Sequence, residues 1–213
     1  MARIQDMTKG NPGKLIFFFA LPLMLGNICQ QLYTMVDTII VGQGVGVQAL
    51  ASLGAADWLN WLILGISTGF SQGFSIMIAQ RFGANDMEGL RKSVSMSYLL
   101  GGIIAIIATI LSQLTALPIL KLLKTPENIL PGSLIYLRIS FSGILIVMAY
   151  NVFASILRAL GDGKTPLIAM LIASVINIIL DMLFVFVFHW GIAGAAIATV
   201  VAQVFSGLFC LKA

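Results

Sequence analysis

The chain has 213 residues, of which 59% are hydrophobic and only 9% are charged, and its formal net charge is +4. Soluble domains carry about 25% charged residues, so the composition excludes an ordinary soluble fold and predicts a membrane protein. The basic residues stand between apolar runs and form no cluster, which argues against nucleic-acid binding and favours a role in membrane orientation.

Six apolar stretches are each long enough to cross a hydrocarbon core as a helix, which takes about 20 residues. They lie near residues 15–42, 58–78, 94–117, 135–157, 166–188 and 192–211. Residues 1–14 are predicted to form a cytoplasmic N-terminal segment, and residues 15–213 a transmembrane lobe. The predicted fold is therefore that of an all-α membrane protein, a bundle of six transmembrane helices.

Lysine and arginine residues predict the orientation, because loops that carry them remain in the cytoplasm. Nine of the 12 basic residues flank the predicted helices on the side of the N-terminus. Since six crossings return the chain to its starting side, both termini are predicted to be cytoplasmic. The first apolar run is longer than a signal-peptide core and lacks an A-x-A cleavage site. Together these features favour the inner membrane of a prokaryotic cell.

Asp181 lies within the fifth apolar stretch, one helical turn after Asn177. A carboxylate in such a stretch is costly in lipid and is tolerated mainly where it faces a bundle interior or a water-filled cavity. The first stretch contains Asp37, and the sixth contains Thr199. At a rise of about 1.5 Å per residue, Asp37, Asp181 and Thr199 lie roughly 7–12 Å below the outer ends of their helices, with Asn177 one turn deeper.

Carboxylate, amide and hydroxyl oxygens at similar depth suit a small hard cation such as Na⁺, and two carboxyl groups also suit proton exchange. We therefore predict a cation site, for H⁺ or Na⁺, formed by Asp37, Asn177, Asp181 and Thr199, and no other cofactor. The alternative is that the two carboxyl groups only pair with amides between packed helices. Asp57 is interpreted as an exposed residue at the start of a helix near the outer interface.

The first helix has a polar stripe at helical spacing on an otherwise apolar surface. Four of its members are candidates for lining a substrate cavity: Asn27, Gln30, Gln31 and Thr34. Pro22 lies in the cytoplasmic third of the same helix and cannot donate a backbone hydrogen bond. It is therefore a candidate hinge, and a static kink is the alternative.

The second helix contains Gly65, Gly69 and Gly73, whose four-residue spacing lets another helix approach closely, so they are predicted to be packing residues. The same stretch matches the G-x-S-x-G pattern of serine hydrolases around Ser67. That activity needs a nearby base and a strand-to-helix turn. Ser67 is predicted to lie in the middle of a helix, and the only histidine, His189, in an outer turn. The chain is therefore not predicted to be an enzyme.

The sequence resembles the multidrug and toxic compound extrusion (MATE) transporters in five stretches that occur in the same order. These are P-L-M-L-G-N-I-C-Q-Q-L-Y-T-M-V-D-T-I-I-V-G, R-F-G-A-N-D, I-L-R-A-L-G-D-G-K-T-P, N-I-I-L-D and G-I-A-G-A-A-I-A-T. The resemblance implies that Asp37, Asn177, Asp181 and Thr199 form the cation site of the N-terminal lobe. It also implies an antiporter that exports organic, cationic or amphipathic compounds in exchange for H⁺ or Na⁺, coupled to bending of the first helix, with Pro22 as the candidate bend.

Transporters of this family have twelve helices in two lobes, whereas this sequence has six predicted helices. The implied partner is a second six-helix lobe or a second copy of the chain in a parallel homodimer. Two other functions remain open. One is an isolated lobe or membrane scaffold without transport activity; the other is a flippase for lipid-linked substrates, as found in the same superfamily.

Overall fold

The computed structural model describes residues 12–212, without the side chains at positions 12, 14–16, 18–19 and 22–23. Within this range the chain is almost entirely helical, and no residue of it is in a strand. The helices are α1 Pro12–Gly44, α2 Val47–Gly83, α3 Met87–Leu122, α4 Leu130–Ser142, α5 Ile144–Ala159, α6 Lys164–Asp181 and α7 Gly191–Lys212, with a π-helical segment, Met182–Val187, directly after α6. The predicted all-α class is confirmed.

The helices form six units, and most have the length and composition of a membrane span. Helices α2, α3 and α7, together with α6 and its π-helical extension, are each long and apolar enough to cross a membrane. Helices α4 and α5 form a fifth unit, which is bent. Helix α1 adds a unit of 33 residues. Many large apolar side chains on these units are exposed, as expected for a surface that faces lipid.

The fourth predicted helix, residues 135–157, is not one straight helix. Helices α4 and α5 meet at an angle of 47°, and Gly143 lies between them. A Cβ atom at Gly143 would lie 2.7 Å from Cγ2 of Val200 in α7, so glycine lets α7 pack against the bend. The stretch contains no proline, but Ser142 and Gly143 form the kind of Gly/Ser pair at which helices often kink.

Helix α2 begins at Val47, well before the predicted start at residue 58. The connection between α1 and α2 is therefore only a tight turn. This turn contains Gly46, whose φ of 109° favours glycine. Asp57 consequently lies almost three turns into α2, at about 3.6 residues per turn. The interpretation of Asp57 as a residue at the start of a helix was therefore wrong.

Asp86 caps the N-terminus of α3 in the short turn that follows α2. Its Oδ1 atom accepts a hydrogen bond of 2.9 Å from the backbone N–H of Gly89, and Arg81 Nη1 donates one of 2.9 Å to its Oδ2 atom. The hydrogen bond from Gly89, with a smaller contribution from Arg81, holds the pKa of Asp86 below its usual value. The R-F-G-A-N-D stretch is thus explained by the structure of this turn.

Asp162 has the corresponding role before α6. Its Oδ1 atom accepts hydrogen bonds of 3.1 Å from the backbone N–H groups of both Lys164 and Thr165. The preceding Gly161 has a φ of 89°, which reverses the chain direction after α5. The turn therefore fixes where α6 begins, and with it the register of the polar residues further along that helix.

Helices α1 and α6 run side by side in the same direction, and two glycines of α1 define their register. A Cβ atom at Gly26 would lie 3.2 Å from Cε of Met170, and one at Gly44 would lie 2.5 Å from Cγ1 of Val185 in the π-helical segment. The spacing between these contacts is nearly the same along both elements. Asp37 of α1 is therefore level with the last turn of α6.

The three predicted packing glycines of α2 are exposed, and no described residue lies within 4 Å of a Cβ atom built at Gly65, Gly69 or Gly73. They do not pack against another described helix of this lobe. Their role as packing residues stays a prediction. The helix that would pack against them is not one of the described helices of this lobe.

Candidate cation site

Asn177 and Asp181 lie one turn apart on α6 and are almost completely buried, with exposed fractions of 2% and 0%. Both carboxyl oxygens of Asp181 and the Oδ1 atom of Asn177 accept no hydrogen bond from an N–H or O–H group of the described residues. A buried carboxylate without a partner costs several kcal/mol. These oxygens are therefore suited to receive a proton or a cation.

Thr199 of α7 lies opposite Asn177. The Nδ2 atom of Asn177 donates a hydrogen bond of 3.4 Å to Thr199 Oγ1, which in turn donates one of 3.1 Å to the backbone oxygen of Ala195. This hydrogen bond holds the nitrogen of the amide toward α7. The Oδ1 atom of Asn177 is thereby left as an acceptor.

Asp37 contributes the second carboxyl group from α1. It interacts with Asp181 at hydrogen-bonding range, so the two groups can share a proton. Its Oδ1 atom otherwise has no partner among the described residues, and in that part of the chain the only ion pair joins Arg81 to Asp86. Because two neighbouring carboxylates repel each other, the pair favours the binding of one positive charge.

The structure thus brings all four predicted residues to the junction of α1, α6 and α7. Two carboxyl groups and an amide oxygen without partners, together with a hydroxyl group, form an oxygen-rich donor set that fits a proton or Na⁺. No group of three His, Cys, Asp or Glu side chains in the described range could hold a metal ion together. Binding of H⁺ or Na⁺ by this arrangement stays a prediction.

The π-helical segment begins immediately after Asp181. Such segments are rare and occur frequently at functional sites, because the inserted residue changes the direction of neighbouring side chains. Here the segment also places the buried Val185 against Gly44 of α1. It therefore links the position of Asp181 to the C-terminal end of α1.

Two tyrosines that the sequence did not single out lie near Asp37. Tyr33, one turn earlier on α1, is within electrostatic range of both Asp37 and Asp181. Tyr136 of α4 is only 8% exposed and is within electrostatic range of Asp37. Helical spacing could have identified Tyr33, whereas only the tertiary fold brings Tyr136 to the site.

The four predicted cavity residues lie on an exposed part of α1. They are Asn27, Gln30, Gln31 and Thr34, and Thr34 Oγ1 donates a hydrogen bond of 3.0 Å to the backbone oxygen of Gln30. Their role in lining a cavity stays a prediction. Helix α1 runs through position 22, but the side chain of Pro22 lies outside the described residues, and its role as a hinge also stays a prediction.

Ser67 and His189 do not form a catalytic arrangement. Ser67 is buried within α2, and its hydroxyl group donates a hydrogen bond of 3.2 Å to the backbone oxygen of Ile63 in the same helix. His189 is exposed in the turn before α7. Ser67 thus lies on a regular helix and not on the strand-to-helix turn that a nucleophilic serine requires.

The chain matches the MatE family over residues 22–183. It is 35% identical to the protein named Probable multidrug resistance protein YpnP of Bacillus subtilis (strain 168), over 97% of this chain and 46% of that protein. It is similar to the crystal structure of MATE in the bent conformation, with a TM-score of 0.86 and 31% identity, and to that in the straight conformation, with a TM-score of 0.80 and 32% identity. Each comparison covers 95% of this chain and 45% of the solved chain, so the chain spans less than half the length of these relatives.

Proposed function

Since the chain belongs to the MatE family, we propose that it is one lobe of a secondary active transporter that exports organic, cationic or amphipathic compounds in exchange for H⁺ or Na⁺. Members of this family are transporters and not enzymes, and they are multi-pass proteins of the bacterial cell membrane. The observation that carries the proposal is the proximity of Asp37 to the fully buried Asp181. Neither carboxylate forms an ion pair with a basic side chain among the described residues.

The carboxyl pair couples ion binding to the position of α1, because its two members are on different helices. The side chain of Asp181 on α6 is completely buried, whereas Asp37 lies on α1, which exposes apolar side chains such as Leu32 and Met35. One positive charge between Asp37 and Asp181 removes their repulsion and favours the approach of α1 to α6. Loss of that charge favours separation. Helix α1 is therefore the element whose position responds to the ion.

A second lobe is part of the proposal, because the chain spans less than half of its relatives and alternating access needs two bodies that move against each other. The partner is a second six-helix lobe or a second copy of this chain in a parallel homodimer. The cavity between the lobes would be lined by the exposed polar residues Asn27, Gln30, Gln31 and Thr34 of α1. We place the bend of α1 at Pro22, and relatives described as bent and as straight support such a motion.

The direct test is ion binding by the purified chain in nanodiscs, measured with radioactive Na⁺ and, in parallel, by the protons released or taken up. Asp37→Asn and Asp181→Asn should each reduce binding by about tenfold or more, because each removes a charged ligand. Asp86→Asn, which changes a distant capping residue, is the matched control and should bind normally. Unchanged binding of both ions in Asp37→Asn and Asp181→Asn would refute the proposed site.

The mass of the purified assembly, with lipid subtracted, tests the second part of the proposal. Two copies per particle are expected for a homodimeric transporter, and such particles should drive efflux from liposomes along an ion gradient. One copy per particle would identify an isolated lobe. Ion binding at the Asp37–Asp181 pair would then be expected without transport by the chain alone.

A further inference from the structure

We propose that a groove between α3 and α5 binds one acyl chain of an anionic phospholipid, and that Arg91 of α3 contacts the headgroup of this lipid. The groove has a volume of about 210 Å³ and is lined by two glycines and by mostly apolar side chains of the two helices. The inference goes beyond the proposed function and does not depend on it, because the ion site is formed by other helices, α1, α6 and α7.

Two neighbouring glycines of α3 shape the groove. A Cβ atom at Gly101 would lie 3.1 Å from Cγ2 of Val152, so α3 and α5 are in close contact there. At Gly102 no described residue lies within 4 Å of an added Cβ atom, so open space begins directly beside this contact. The rings of Tyr98 and Phe153 pack edge to face with their centroids 5.7 Å apart and fix the distance between the helices at one end of the groove.

The size and the walls of the groove suit a narrow apolar occupant. One turn of an α-helix, about 10 Å wide and 5.4 Å long, takes up roughly 400 Å³, so the groove is too small for a helix of a partner protein. Its apolar walls offer few of the polar partners that ordered water needs. Tyr98 and Leu145 on its rim are 46% and 45% exposed, and in a membrane-spanning lobe such a rim faces lipid. An acyl chain of a neighbouring lipid therefore fits the groove.

Arg91 supplies a positive charge beyond the end of the groove that Tyr98 marks. It lies seven residues before Tyr98 on α3, which is about two helical turns and places it on the same side of the helix. Because helical side chains tilt toward the N-terminus, the guanidinium group is directed away from the groove and toward the membrane surface. Arg91 forms no ion pair among the described residues, and together with Lys92 it outnumbers the nearby Glu88. This surplus of positive charge favours an anionic headgroup.

The spacing between Arg91 and the groove agrees with the dimensions of one leaflet. At a rise of about 1.5 Å per residue, Tyr98 lies roughly 10 Å and Ala105 roughly 21 Å from Arg91 along α3, and both line the groove. Half of a hydrocarbon core is about 15 Å thick. The groove thus begins within the leaflet next to Arg91 and ends near the middle of the membrane. A lipid whose headgroup is at Arg91 can therefore place one acyl chain along the whole groove.

The test is lipid binding by the purified full chain, measured by native mass spectrometry with phosphatidylglycerol and phosphatidylcholine of identical acyl chains. The unmodified chain should bind the anionic phosphatidylglycerol about fivefold more tightly, as expected for one contact with a basic side chain. Arg91→Gln should remove most of this preference. Lys121→Gln changes an exposed basic residue in the last turn of the same helix, so it is the matched control and should retain the preference.

Gly102→Leu tests the groove itself. The added side chain occupies the space of the acyl chain, so it should weaken the binding of both lipids by about tenfold, the equivalent of two displaced methylene groups. Gly54→Leu on α2 is the matched control, because it adds the same side chain where no described residue lies within 4 Å of the Cβ atom. It should bind both lipids normally, and the two variants should have similar melting temperatures in detergent without added lipid.

Equal affinity of the unmodified chain for the two lipids would overturn the inference, as would an equal loss of phosphatidylglycerol binding in Arg91→Gln and Lys121→Gln. Undiminished binding of both lipids by Gly102→Leu would show that the groove is not their site. If Gly102→Leu lowers the number of copies per particle without changing lipid binding, a protein occupies the groove and the proposed occupant is wrong. Because Arg91→Gln adds nothing to the groove, it decides the headgroup contact even if Gly102→Leu fails to fold.

Discussion

Asn177 and Thr199 are joined by a hydrogen bond of 3.4 Å from Nδ2 to Oγ1, which links α6 to α7 directly beside the carboxyl pair. Thr199→Val keeps the shape of the side chain but removes the acceptor, so the amide loses its fixed orientation. We expect the affinity for the coupling ion to fall by about fivefold, the equivalent of one hydrogen bond. Thr199→Ser should bind normally. Equal affinity in Thr199→Val and Thr199→Ser, measured with radioactive Na⁺ and by proton uptake, would contradict this role.

Gly44 should be sensitive to substitution because of its contact with the π-helical segment. A Cβ atom there would lie 2.5 Å from Val185, so Gly44→Ala is expected to cost about 1–3 kcal/mol through overpacking. Gly54 in α2 is the control, since no described residue lies within 4 Å of its added Cβ atom. Gly54→Ala should be neutral or stabilising, by up to about 1 kcal/mol, because alanine favours the helix. Thermal unfolding in detergent would show equal stability of the two variants if this contact is unimportant.

The exposed glycines of α2 should matter for assembly and not for folding of the lobe. Gly69→Leu places a large side chain where no described residue lies within 4 Å, so the helix content and melting temperature should be unchanged. If a second lobe or second copy packs on this surface, the variant should reduce the fraction of two-lobe particles.

A control for this prediction is Gly101→Leu in α3, where an added Cβ atom would lie 3.1 Å from Cγ2 of Val152. That variant should destabilise the lobe itself. Mass measurements of particles in nanodiscs separate the two effects. Normal assembly of Gly69→Leu would show that the partner lobe binds elsewhere.

The cap of α3 should depend on pH. Because the hydrogen bond from Gly89 and the contact with Arg81 lower the pKa of Asp86, the charged form stabilises the folded turn. This stabilisation is fully present at neutral pH and is lost as the pH falls below about 4. Hydrogen exchange at the first turn of α3, corrected for intrinsic rates, should therefore accelerate at low pH. Asp86→Asn still caps the helix but does not titrate, so it should lack this acceleration; the same pH response in both proteins would exclude Asp86 as its cause.

The sequence was sufficient to locate the residues that meet at the junction of α1, α6 and α7. Polar residues stand out in apolar helices, and helical rise converts their positions into depth. The sequence alone could not predict that Tyr136 lies near the site or that Asp57 is within electrostatic range of Asp37. Both relationships depend on which helices become neighbours in the fold. The start of α2 was missed for a related reason. Residues 47–57 are compatible with either a turn or a helix, and packing decides between them.

The pattern of glycines was also ambiguous. Gly65, Gly69 and Gly73 have the spacing of a packing motif, yet they face away from the described lobe, whereas Gly143, which has no such spacing, receives α7. Spacing indicates that a close approach is possible but does not identify the partner. Contacts between distant segments supply that information, and one sequence alone does not contain it.

The bend between α4 and α5 has a consequence for the order of assembly. The two halves have 13 and 16 residues, and each is shorter than the about 20 residues that a span needs. They must therefore enter the membrane together. The backbone at Gly143 is buried and packs against Val200 of α7, which is synthesised later. The contact with α7 can therefore stabilise the angle between α4 and α5 only after α7 has inserted.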